Sequence, residues 1–422
     1  MEYLNFTCQG ESHKADNKVC QDYSLASSRE RTTVAIVCDG HGGNRYFRSD
    51  IGAKYAAEIT EESVRMFVKN IDSDIFRDKP FTAVGPIKEL PEGYKETEID
   101  KLFRQLFSSI IFKWNEKILE HAGATPISEW ETEHVEQKYL DEFSQQKNLE
   151  KTYGCTLMAF VRAKHYWFAF HLGDGKCIAL QKDPIWCEPI PWDERCFLNK
   201  TTSLCDSDAI NEFRYCYQGK GNYPVAVFLG SDGIDDSFGE TTNMVNFYIQ
   251  LAKEIVLQSR EKAEVSLQET LPQLSKIGSR DDMSVACVYD KSDLKALYKS
   301  LVQWQVANVM AAVEDINVRI VNLKNKRAAL QGKLISSDKT KIELQYAMND
   351  LDRAFLQKRN LVKKLDILLQ ERDGEDFVPY SDEIGVDNII EEPSAEVIEQ
   401  GADKIDEEVD GVTPCTEEYS ED

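Results

Sequence analysis

An apolar run that ends on an aspartate and leads into a glycine-rich turn is the feature of this sequence most directly tied to chemistry. Residues 34–38 are apolar, Asp39 follows them, and His41 lies within the turn Gly40–Gly43. Glycine accepts backbone conformations that other residues resist, so such a turn lets backbone and carboxylate oxygens approach a bound ion closely. The pattern therefore predicts an ion site with a histidine beside it.

Four further aspartates lie at the ends of other predicted strands. Asp174 and Asp232 each follow an apolar run, whereas Asp281 and Asp282 precede one. A sheet with antiparallel pairs brings such strand ends to a single rim. We therefore expect these carboxylates to lie near one another and near Asp39.

A predicted hairpin brings one more carboxylate to this rim. If Asp22–Ala26 pairs with Thr32–Cys38, Asp22 lies across from Asp39. Several carboxylates in one place repel each other unless cations neutralise them. Ligands that are all oxygen, without cysteine or clustered histidine, favour Mg²⁺ or Mn²⁺ over Zn²⁺ or copper. Any single Asp-Gly pair is also typical of an ordinary turn, so the metal prediction depends on the whole set.

The elements that must position these side chains are short strands mixed with longer helices over residues 1–290. The predicted strands, rich in Val, Ile, Phe and Tyr, are Asp22–Ala26, Thr32–Cys38, Cys155–Arg162, Tyr166–Leu172, Cys177–Gln181, Val225–Leu229 and Met283–Tyr289. The predicted helices are Ser49–Lys69, Ile99–His121 and Thr241–Gln258. Segment 71–98 is polar and interrupted by prolines, which predicts a loop, and the pattern of segment 122–150 leaves its structure open.

A second region, residues 292–372, is predicted to be helical throughout. Its apolar heptad positions are Val313, Ile316, Ile320, Leu323, Leu330, Leu334, Leu344, Met348, Leu351, Phe355, Val362, Leu365 and Leu369. A polar stretch at 336–340 separates two seams, and Thr340 with Glu343 has the spacing of a capping box. The chain either continues as one coiled coil or folds back as a helical hairpin, and we favour the hairpin. The segment could form a homodimer, dock a helical partner, or pack on its own domain.

The charge is concentrated in the remaining segment, residues 373–422, which we predict to be an acidic disordered tail. The net charge of the 422-residue chain is −24, and Glu371–Asp422 carry −18 of it. Nucleic-acid binding is disfavoured, because it requires basic groups that neutralise phosphates. We find no signal peptide and no apolar run long enough to cross a bilayer, and the 11 scattered cysteines suit a reducing environment. A cytoplasmic protein is therefore expected.

Together, the motifs resemble those of the metal-dependent serine/threonine protein phosphatases of type 2C (PPM-type). The matching stretches, in family order, are Gln21-Asp22, Val37–Gly43, Tyr153–Leu157, Gly173-Asp174-Gly175, Ser231–Asp236 and Ser279–Val285. The resemblance covers roughly residues 5–290, within a predicted phosphatase domain of residues 1–290. It implies an α+β fold: a four-layer α-β-β-α sandwich of two antiparallel sheets flanked by helices, with the metals at one end. The helical hairpin or coiled coil would follow this domain.

The resemblance also implies a two-metal centre that holds Mn²⁺ or Mg²⁺. Asp39 would bridge the two ions, and the carbonyl of Gly40 would bind one of them. Asp232 and Asp281 would complete the ligands of the other ion. This assignment makes Asp39 the central catalytic carboxylate.

Three further residues match family positions around the metals and the substrate. Asp22 would hold metal-bound water, and Asp174 and Asp236 match positions of a third, weaker ion. A hydroxide that bridges the two ions would attack the phosphorus of phosphoserine or phosphothreonine directly. His41 would protonate the leaving oxygen as general acid. No phosphoenzyme is required.

Substrate phosphate binding is where the sequence departs from the family pattern. The arginine that usually lies just upstream of the first acidic motif is missing, and Gln21 occupies a position where many members have glutamate. Four basic residues could replace that arginine, namely Lys14, Lys18, Arg45 and Arg48. The departure also leaves an alternative function open: a catalytically weak phosphatase-like scaffold that binds phosphoproteins and helical partners.

Overall fold

The computed structural model describes residues 1–182, 186–196, 200–219, 223–332 and 338–374. Its strands are β1 (Glu2–Cys8), β2 (Tyr23–Arg29), β3 (Thr32–Cys38), β4 (Thr82–Val84), β5 (Leu157–Arg162), β6 (Trp167–Leu172), β7 (Lys176–Leu180), β8 (Trp186–Cys187), β9 (Arg214–Gln218), β10 (Ala226–Gly230) and β11 (Met283–Tyr289). They form two sheets, with strand orders β1-β11-β10-β7-β8 and β2-β3-β5-β6-β9-β4, and the neighbouring strands pair antiparallel.

The helices lie outside the two sheets and at the end of the chain. They are α1 (Glu11–Ala15), α2 (Ser49–Asn70), α3 (Glu98–Ala124), α4 (Glu129–His134), α5 (Gln137–Ser144), α6 (Leu149–Thr152), α7 (Asp232–Asp235), α8 (Thr241–Leu257), α9 (Arg260–Ile277), α10 (Lys291–Gly332) and α11 (Asp338–Asp373). Among the described helices, none combines the length and the apolar character needed to cross a membrane.

Alternating side chains along the strands build three apolar layers. Val37, Met158 and Val227 belong to the layer between the sheets. Val34 and Ile36, on the opposite face of β3, pack with α2 and α3. The other sheet packs its outer face on α8 and α9. This arrangement is the four-layer α-β-β-α sandwich that the resemblance implied. Because successive side chains of a strand point to opposite faces, each strand contributes to the layer between the sheets and to the layer under the helices.

The predicted strands and helices are found with ends shifted by at most two or three residues, and other elements were not predicted. β1 pairs with β11 along seven residues, from Glu2↔Tyr289 to Cys8↔Met283. The helices α4, α5 and α6 occupy most of segment 122–150. Segment 71–98 is largely irregular, as predicted, although it contributes the short edge strand β4.

The helical region is an antiparallel hairpin of α10 and α11, not one continuous coiled coil. The first half of α10 packs on α8, so that Val302 and Val306 are buried. Lys253 of α8 is 1% exposed and donates to Glu371 near the end of α11 at 2.8 Å. The base of the hairpin is thus part of the phosphatase-domain packing. The predicted tail, residues 373–422, lies outside the described residues except for its first two.

Candidate active site

The β2–β3 hairpin places the first two carboxylates at one end of a sheet. Tyr23 pairs with Cys38. Asp22 precedes Tyr23 and Asp39 follows Cys38, so the two aspartates lie opposite each other at the open end of the hairpin. The closed end turns through Glu30 and Arg31, whose φ angles are +50° and +65°. Two consecutive left-handed residues define the tight turn that suits the twist of a two-strand hairpin. The predicted position of Asp22 opposite Asp39 is confirmed.

Backbone contacts fix Asp39 and the residue after it. The Asp39 amide donates to the Thr156 hydroxyl at 2.9 Å, and the Thr156 amide donates to the Asp39 carbonyl at 2.7 Å. A Cβ atom on Gly40 would lie 2.5 Å from the Gln21 carbonyl oxygen and 2.9 Å from the Ser49 backbone. Position 40 therefore requires glycine, because no side chain fits between these backbones.

The other sheet brings Asp232 and Asp281 to the same place. Gly230, at the end of β10, pairs with Val285 near the start of β11, so the aspartates beyond these residues share one end of the sheet. Asp39 interacts electrostatically with Asp232, with Asp22 and with Asp281. The predicted convergence of the two sheet ends is present in the structure.

The cluster concentrates buried negative charge. Burial, followed by repulsion from neighbouring carboxylates, raises the pKa of Asp22 and of Asp39 well above the ordinary value. Burial and the charge of Asp174 raise the pKa of Asp232 to about 8. Within the described residues, Asp232 Oδ1 and Asp22 Oδ2 are buried and have no hydrogen-bond partner. Unsatisfied buried carboxylate oxygens fit divalent cations, which would neutralise the charge and fill the empty lone pairs.

A second carboxylate pair adjoins the first group. Asp174 follows β6 in a turn where Gly173 has φ +135°, a conformation that favours glycine. Burial raises the pKa of Asp174, and Asp236 also contributes to this increase. Asp236 lies one helical turn after Asp232, to whose carbonyl it donates at 2.8 Å. The pair is therefore placed where a further ion could bind beside Asp232.

The carboxylates supply few direct ligands to any one ion. In the described ranges, no three acidic, imidazole or thiol groups form a compact ligand set. Mg²⁺ is commonly bound through one or two carboxylates, with waters and substrate oxygens in the other positions. Ions bound in this way would leave coordination positions for a phosphate group.

His41 lies beside the cluster in a semi-buried position. Its amide donates to the Gly154 carbonyl at 3.0 Å, and its Nε2 lies 2.6 Å from the Ser203 hydroxyl. The Tyr46 ring packs edge-on against the imidazole, with 5.0 Å between the ring centroids. Burial lowers the pKa of His41 to about 4, so the imidazole of the protein without ligands is neutral at neutral pH.

Asp282 and His13 form a polar junction that sequence reasoning missed. Asp282 accepts from the backbone amides of Gly10 and Gln21, both at 2.6 Å, and its Oδ2 lies 2.9 Å from Nδ1 of His13. Hydrogen bonds of this kind keep the pKa of Asp282 below its usual range despite burial. The junction ties the start of β11 to the loop before β2 and thereby positions Asp281. The adjacent Asp281-Asp282 pair was the only signal in the sequence, and it does not identify the partner.

Three of the four basic candidates for phosphate binding are paired with acidic neighbours at the surface. The nitrogen–oxygen distances are 4.0 Å for Lys14–Glu11, 3.4 Å for Lys18–Asp16 and 3.6 Å for Arg45–Glu142. Such exposed pairs are weak and can exchange partners. Nε of Arg45 is buried and has no hydrogen-bond partner among the described residues.

The fourth candidate, Arg48, has a structural role instead. It is 4% exposed, and its guanidinium binds both oxygens of Glu131 at 2.6 and 3.0 Å. The other donors reach the carbonyls of Thr125 and Pro126 and the hydroxyl of Tyr153. All five N–H groups of the guanidinium are thus used. The expectation that Arg48 binds substrate phosphate disagrees with this geometry, and we do not retain it.

Comparison with known families identifies the family of this chain. A model of the protein phosphatase 2C family matches residues 9–272, which is more than half of the chain. The chain belongs to the protein phosphatase 2C family and is a protein serine/threonine phosphatase. No curated protein sequence matches it.

Several solved structures are similar to the chain over the phosphatase domain. A bacterial serine phosphatase is 14% identical, with a TM-score of 0.39, over 69% of this chain and 99% of that chain. The serine/threonine phosphatase Stp1 from Staphylococcus aureus is 12% identical, with a TM-score of 0.39, over 69% and 95%. The catalytic domain of the phosphatase PstP, in complex with two manganese ions, is 15% identical, with a TM-score of 0.36, over 68% and 98%.

Proposed function

We propose that this chain hydrolyses phosphoserine and phosphothreonine in proteins with the help of two Mn²⁺ or Mg²⁺ ions. The observation that carries the proposal is the buried carboxylate group at the shared end of the two sheets. Asp22 and Asp232 each keep an unsatisfied buried oxygen there. Several buried like charges lower the free energy of unfolding unless bound cations neutralise them.

The chain would hold the ions through Asp39, the Gly40 carbonyl, Asp232 and Asp281, with Asp22 in support. When bound, the ions would supply a water that ionises near neutral pH and would offset charge on the phosphoryl group. Asp174 and Asp236 would hold a third ion.

His41 would act as general acid for the leaving group. As the P–O bond breaks, its electron pair stays on the serine or threonine oxygen, and the imidazolium transfers a proton to that oxygen. The free imidazole is neutral. The dianionic phosphate of an arriving substrate would favour its protonated form.

A comparison of two substrates tests this role of His41. An alkoxide is a poor leaving group and needs a proton, whereas p-nitrophenolate leaves readily without one. We expect His41→Ala to lower kcat for a phosphothreonine peptide by about 10²–10⁴-fold and to change p-nitrophenyl phosphate hydrolysis much less. An equal loss on both substrates would assign His41 to metal or substrate binding instead.

The activity itself is tested with the full-length protein and a phosphothreonine peptide. Turnover should require added Mn²⁺ or Mg²⁺, and a chelator should abolish it. Asp39→Asn should be inactive, while the matched control Asp78→Asn, at an exposed aspartate, should retain activity. Equal activity of Asp39→Asn and wild type would remove the site assignment.

A phosphoprotein-binding scaffold without turnover is the second candidate function. It is favoured by one observation: Arg48, one of the residues that could replace the family's phosphate-binding arginine, is committed to Glu131. Isothermal titration with Mn²⁺ and then with a phosphopeptide separates the two functions. Tight peptide binding without release of inorganic phosphate would favour the scaffold.

The partners implied are phosphoprotein substrates, with a homodimer or helical partner at segment 292–372 as a further expectation. Light scattering on the full-length protein measures self-association directly, and a single monomer mass would exclude the homodimer. A cytoplasmic location stays a prediction from the sequence.

A further inference from the structure

The Ser203 hydroxyl is the only described side-chain hydrogen-bond partner of the His41 imidazole. Ser203 is 3% exposed, and its Oγ lies 2.6 Å from Nε2 of His41. Ser203 lies far from the metal motifs in the sequence, and no motif there identified it. Its contacts determine which form of the imidazole the site can accommodate.

The other neighbours of the hydroxyl decide the direction of this hydrogen bond. Oγ lies 3.1 Å from the Cys155 carbonyl oxygen, which can only accept, and it accepts from the Cys205 amide at 3.3 Å. The Cys205 thiol, 3.1 Å away, is a weak partner. A hydroxyl has one hydrogen and two lone pairs, so one lone pair remains for His41. With the hydroxyl hydrogen directed at the Cys155 carbonyl, the contact with His41 is a hydrogen bond only when Nε2 carries a hydrogen.

We propose that Ser203 is a positioning residue that holds His41 in the Nε2–H form and thereby makes Nδ1 the nitrogen that gives its proton to the leaving oxygen. The role of His41 as general acid rests on the proposed function. The tautomer of its imidazole does not, and it can be measured without substrate. A fixed tautomer matters because each ring nitrogen can serve only one role at a time.

The segment around Ser203 is anchored on both sides, so the hydroxyl cannot follow a rotating imidazole. The Ser203 amide donates to Asp206 at 3.0 Å, and Asp206 accepts from Lys151 at 2.9 Å. The Leu204 amide donates to the Cys155 carbonyl at 3.0 Å. These bonds attach the segment to the loop that also contacts Asp39 through Thr156.

The same segment also contacts the turn that contains Asp174. The Thr202 hydroxyl accepts from the Gly173 amide at 2.9 Å. Burial raises the pKa of Asp174, and the neighbouring Thr201 side chain lowers it. The segment 201–206 therefore links the orientation of the general acid with the position of a metal-site carboxylate.

The proposed step balances with the groups present. Before the reaction, both nitrogens of the His41 imidazolium carry hydrogen. The attacking water oxygen forms a new bond to phosphorus, the P–O bond to the substrate breaks with its electron pair on the substrate oxygen, and the Nδ1 proton moves to that oxygen. The imidazole that remains is neutral and keeps Nε2–H, which Ser203 continues to accept. No rotation of the ring is needed before the next turnover.

Nuclear magnetic resonance of ¹⁵N-histidine protein tests the tautomer without any substrate. Long-range ¹⁵N–¹H correlations distinguish Nε2–H from Nδ1–H imidazoles, and the His41 signal is assigned by its loss in His41→Gln. We expect Nε2–H in wild type and a mixture of tautomers in Ser203→Ala. Ser203→Thr, which keeps a hydroxyl, should restore the wild-type pattern. An Nδ1–H signal in wild type would overturn the proposal even if every variant failed to fold.

Kinetics with a matched control test the catalytic meaning. Ser203→Ala should lower kcat for a phosphothreonine peptide about tenfold and leave KM, Mn²⁺ affinity and p-nitrophenyl phosphate hydrolysis unchanged. Ser207→Ala, at an exposed serine of the same segment, should behave as wild type. An unchanged kcat in Ser203→Ala, or an equal loss on both substrates, would contradict the positioning role. Inactive wild type with an Nε2–H His41 would instead refute the proposed function and leave the tautomer assignment intact.

Discussion

At the scale of single residues, the candidate site contains buried carboxylates whose ionisation lowers the stability of the metal-free fold. Asp39 is surrounded by Asp22, Asp232 and Asp281, and burial and repulsion raise its pKa well above the ordinary value. A group whose pKa is raised in the folded state destabilises the fold at pH values where the unfolded chain is ionised. Bound cations would remove this penalty.

Asp39→Asn should therefore stabilise the metal-free protein while it abolishes activity. The neutral amide has a similar shape and removes one buried charge, so we expect the free energy of unfolding in EDTA to rise by about 1 kcal/mol. Mn²⁺ should raise the Tm of wild type more than that of the variant. Thermal unfolding of both proteins, with EDTA and with Mn²⁺, provides the measurement. A variant less stable than wild type in EDTA would contradict the repulsion argument.

The stability of the metal-free protein should fall as pH rises. The pKa of Asp232 is raised from 3.8 to about 8, so the folded state binds more protons than the unfolded state between these values. The raised pKa of His13 acts in the same direction. We expect a lower urea midpoint at pH 8 than at pH 5 in EDTA, and a smaller difference with saturating Mn²⁺. A higher midpoint at pH 8 would show that other groups dominate.

At the scale of elements, the helical hairpin shows where a heptad pattern is informative and where it misleads. On α10 the predicted positions Ile316, Ile320 and Leu330 are buried. On α11 the predicted positions Met348 and Phe355 are 39% and 43% exposed. The predicted position Leu351 is buried, and the other buried positions of α11 are Ala347, Ala354, Leu361 and Leu368. Compared with the predicted seam, the buried face of α11 is turned toward the small residues Ala347 and Ala354. Small residues let two helices approach each other closely.

A pair of adjacent substitutions distinguishes the two seams. Ala354→Glu places a carboxylate at a position that is 1% exposed, and should lower the free energy of unfolding by about 2–4 kcal/mol. Phe355→Glu, next to it, should cost less than about 1 kcal/mol, since the ring is partly exposed and Lys324 lies nearby. Thermal unfolding followed by circular dichroism measures both. A larger loss for Phe355→Glu would favour the heptad register over the seam in the structure.

At the scale of the whole molecule, the domain that carries the candidate site and the helical hairpin share one packed core. Leu294 and Leu301 of α10 belong to the core beneath the β1-containing sheet. Gln305 donates to Asn246 of α8 at 3.2 Å, and Lys253 joins α8 to Glu371. The boundary at residue 290, which was predicted where the helical region begins, therefore passes through a shared core.

A chain that ends at residue 290 should keep its chemistry and lose stability. All the proposed metal ligands precede that residue, so kcat per folded molecule should match that of the full-length protein. Loss of the apolar side chains that cover α8 should lower the free energy of unfolding by several kcal/mol, at about 1.5–3 kcal/mol per large buried side chain. Thermal unfolding and specific activity, compared with a chain that ends at 374, give the result. Equal Tm values would show that the hairpin adds nothing to the domain.

Some strands could be predicted from the sequence and others could not, depending on how their residues are buried. β3 and β11 were predicted with their observed ends, because both are buried on two faces and read as continuous apolar runs. β1 was missed, since its residues do not form a continuous apolar run, and it is stabilised as a strand by pairing with β11. β9 contains Arg214, whose charge argues against a buried strand. That guanidinium contacts His171 at 3.1 Å and the Pro191 carbonyl at 3.2 Å, contacts that only the folded chain supplies.

The sequence by itself determined the strand-end aspartates, the glycine at position 40 and the class of cation they suit, because these depend on local backbone geometry and ligand chemistry. Only the tertiary structure decided that Arg48 binds Glu131, that Asp282 supports the strand start beside Asp281, and that Ser203 faces His41. Each of these contacts joins segments between 83 and 272 residues apart. The two residues of each contact are brought together by the tertiary packing of segments that are distant in the sequence, which no local pattern of residues encodes.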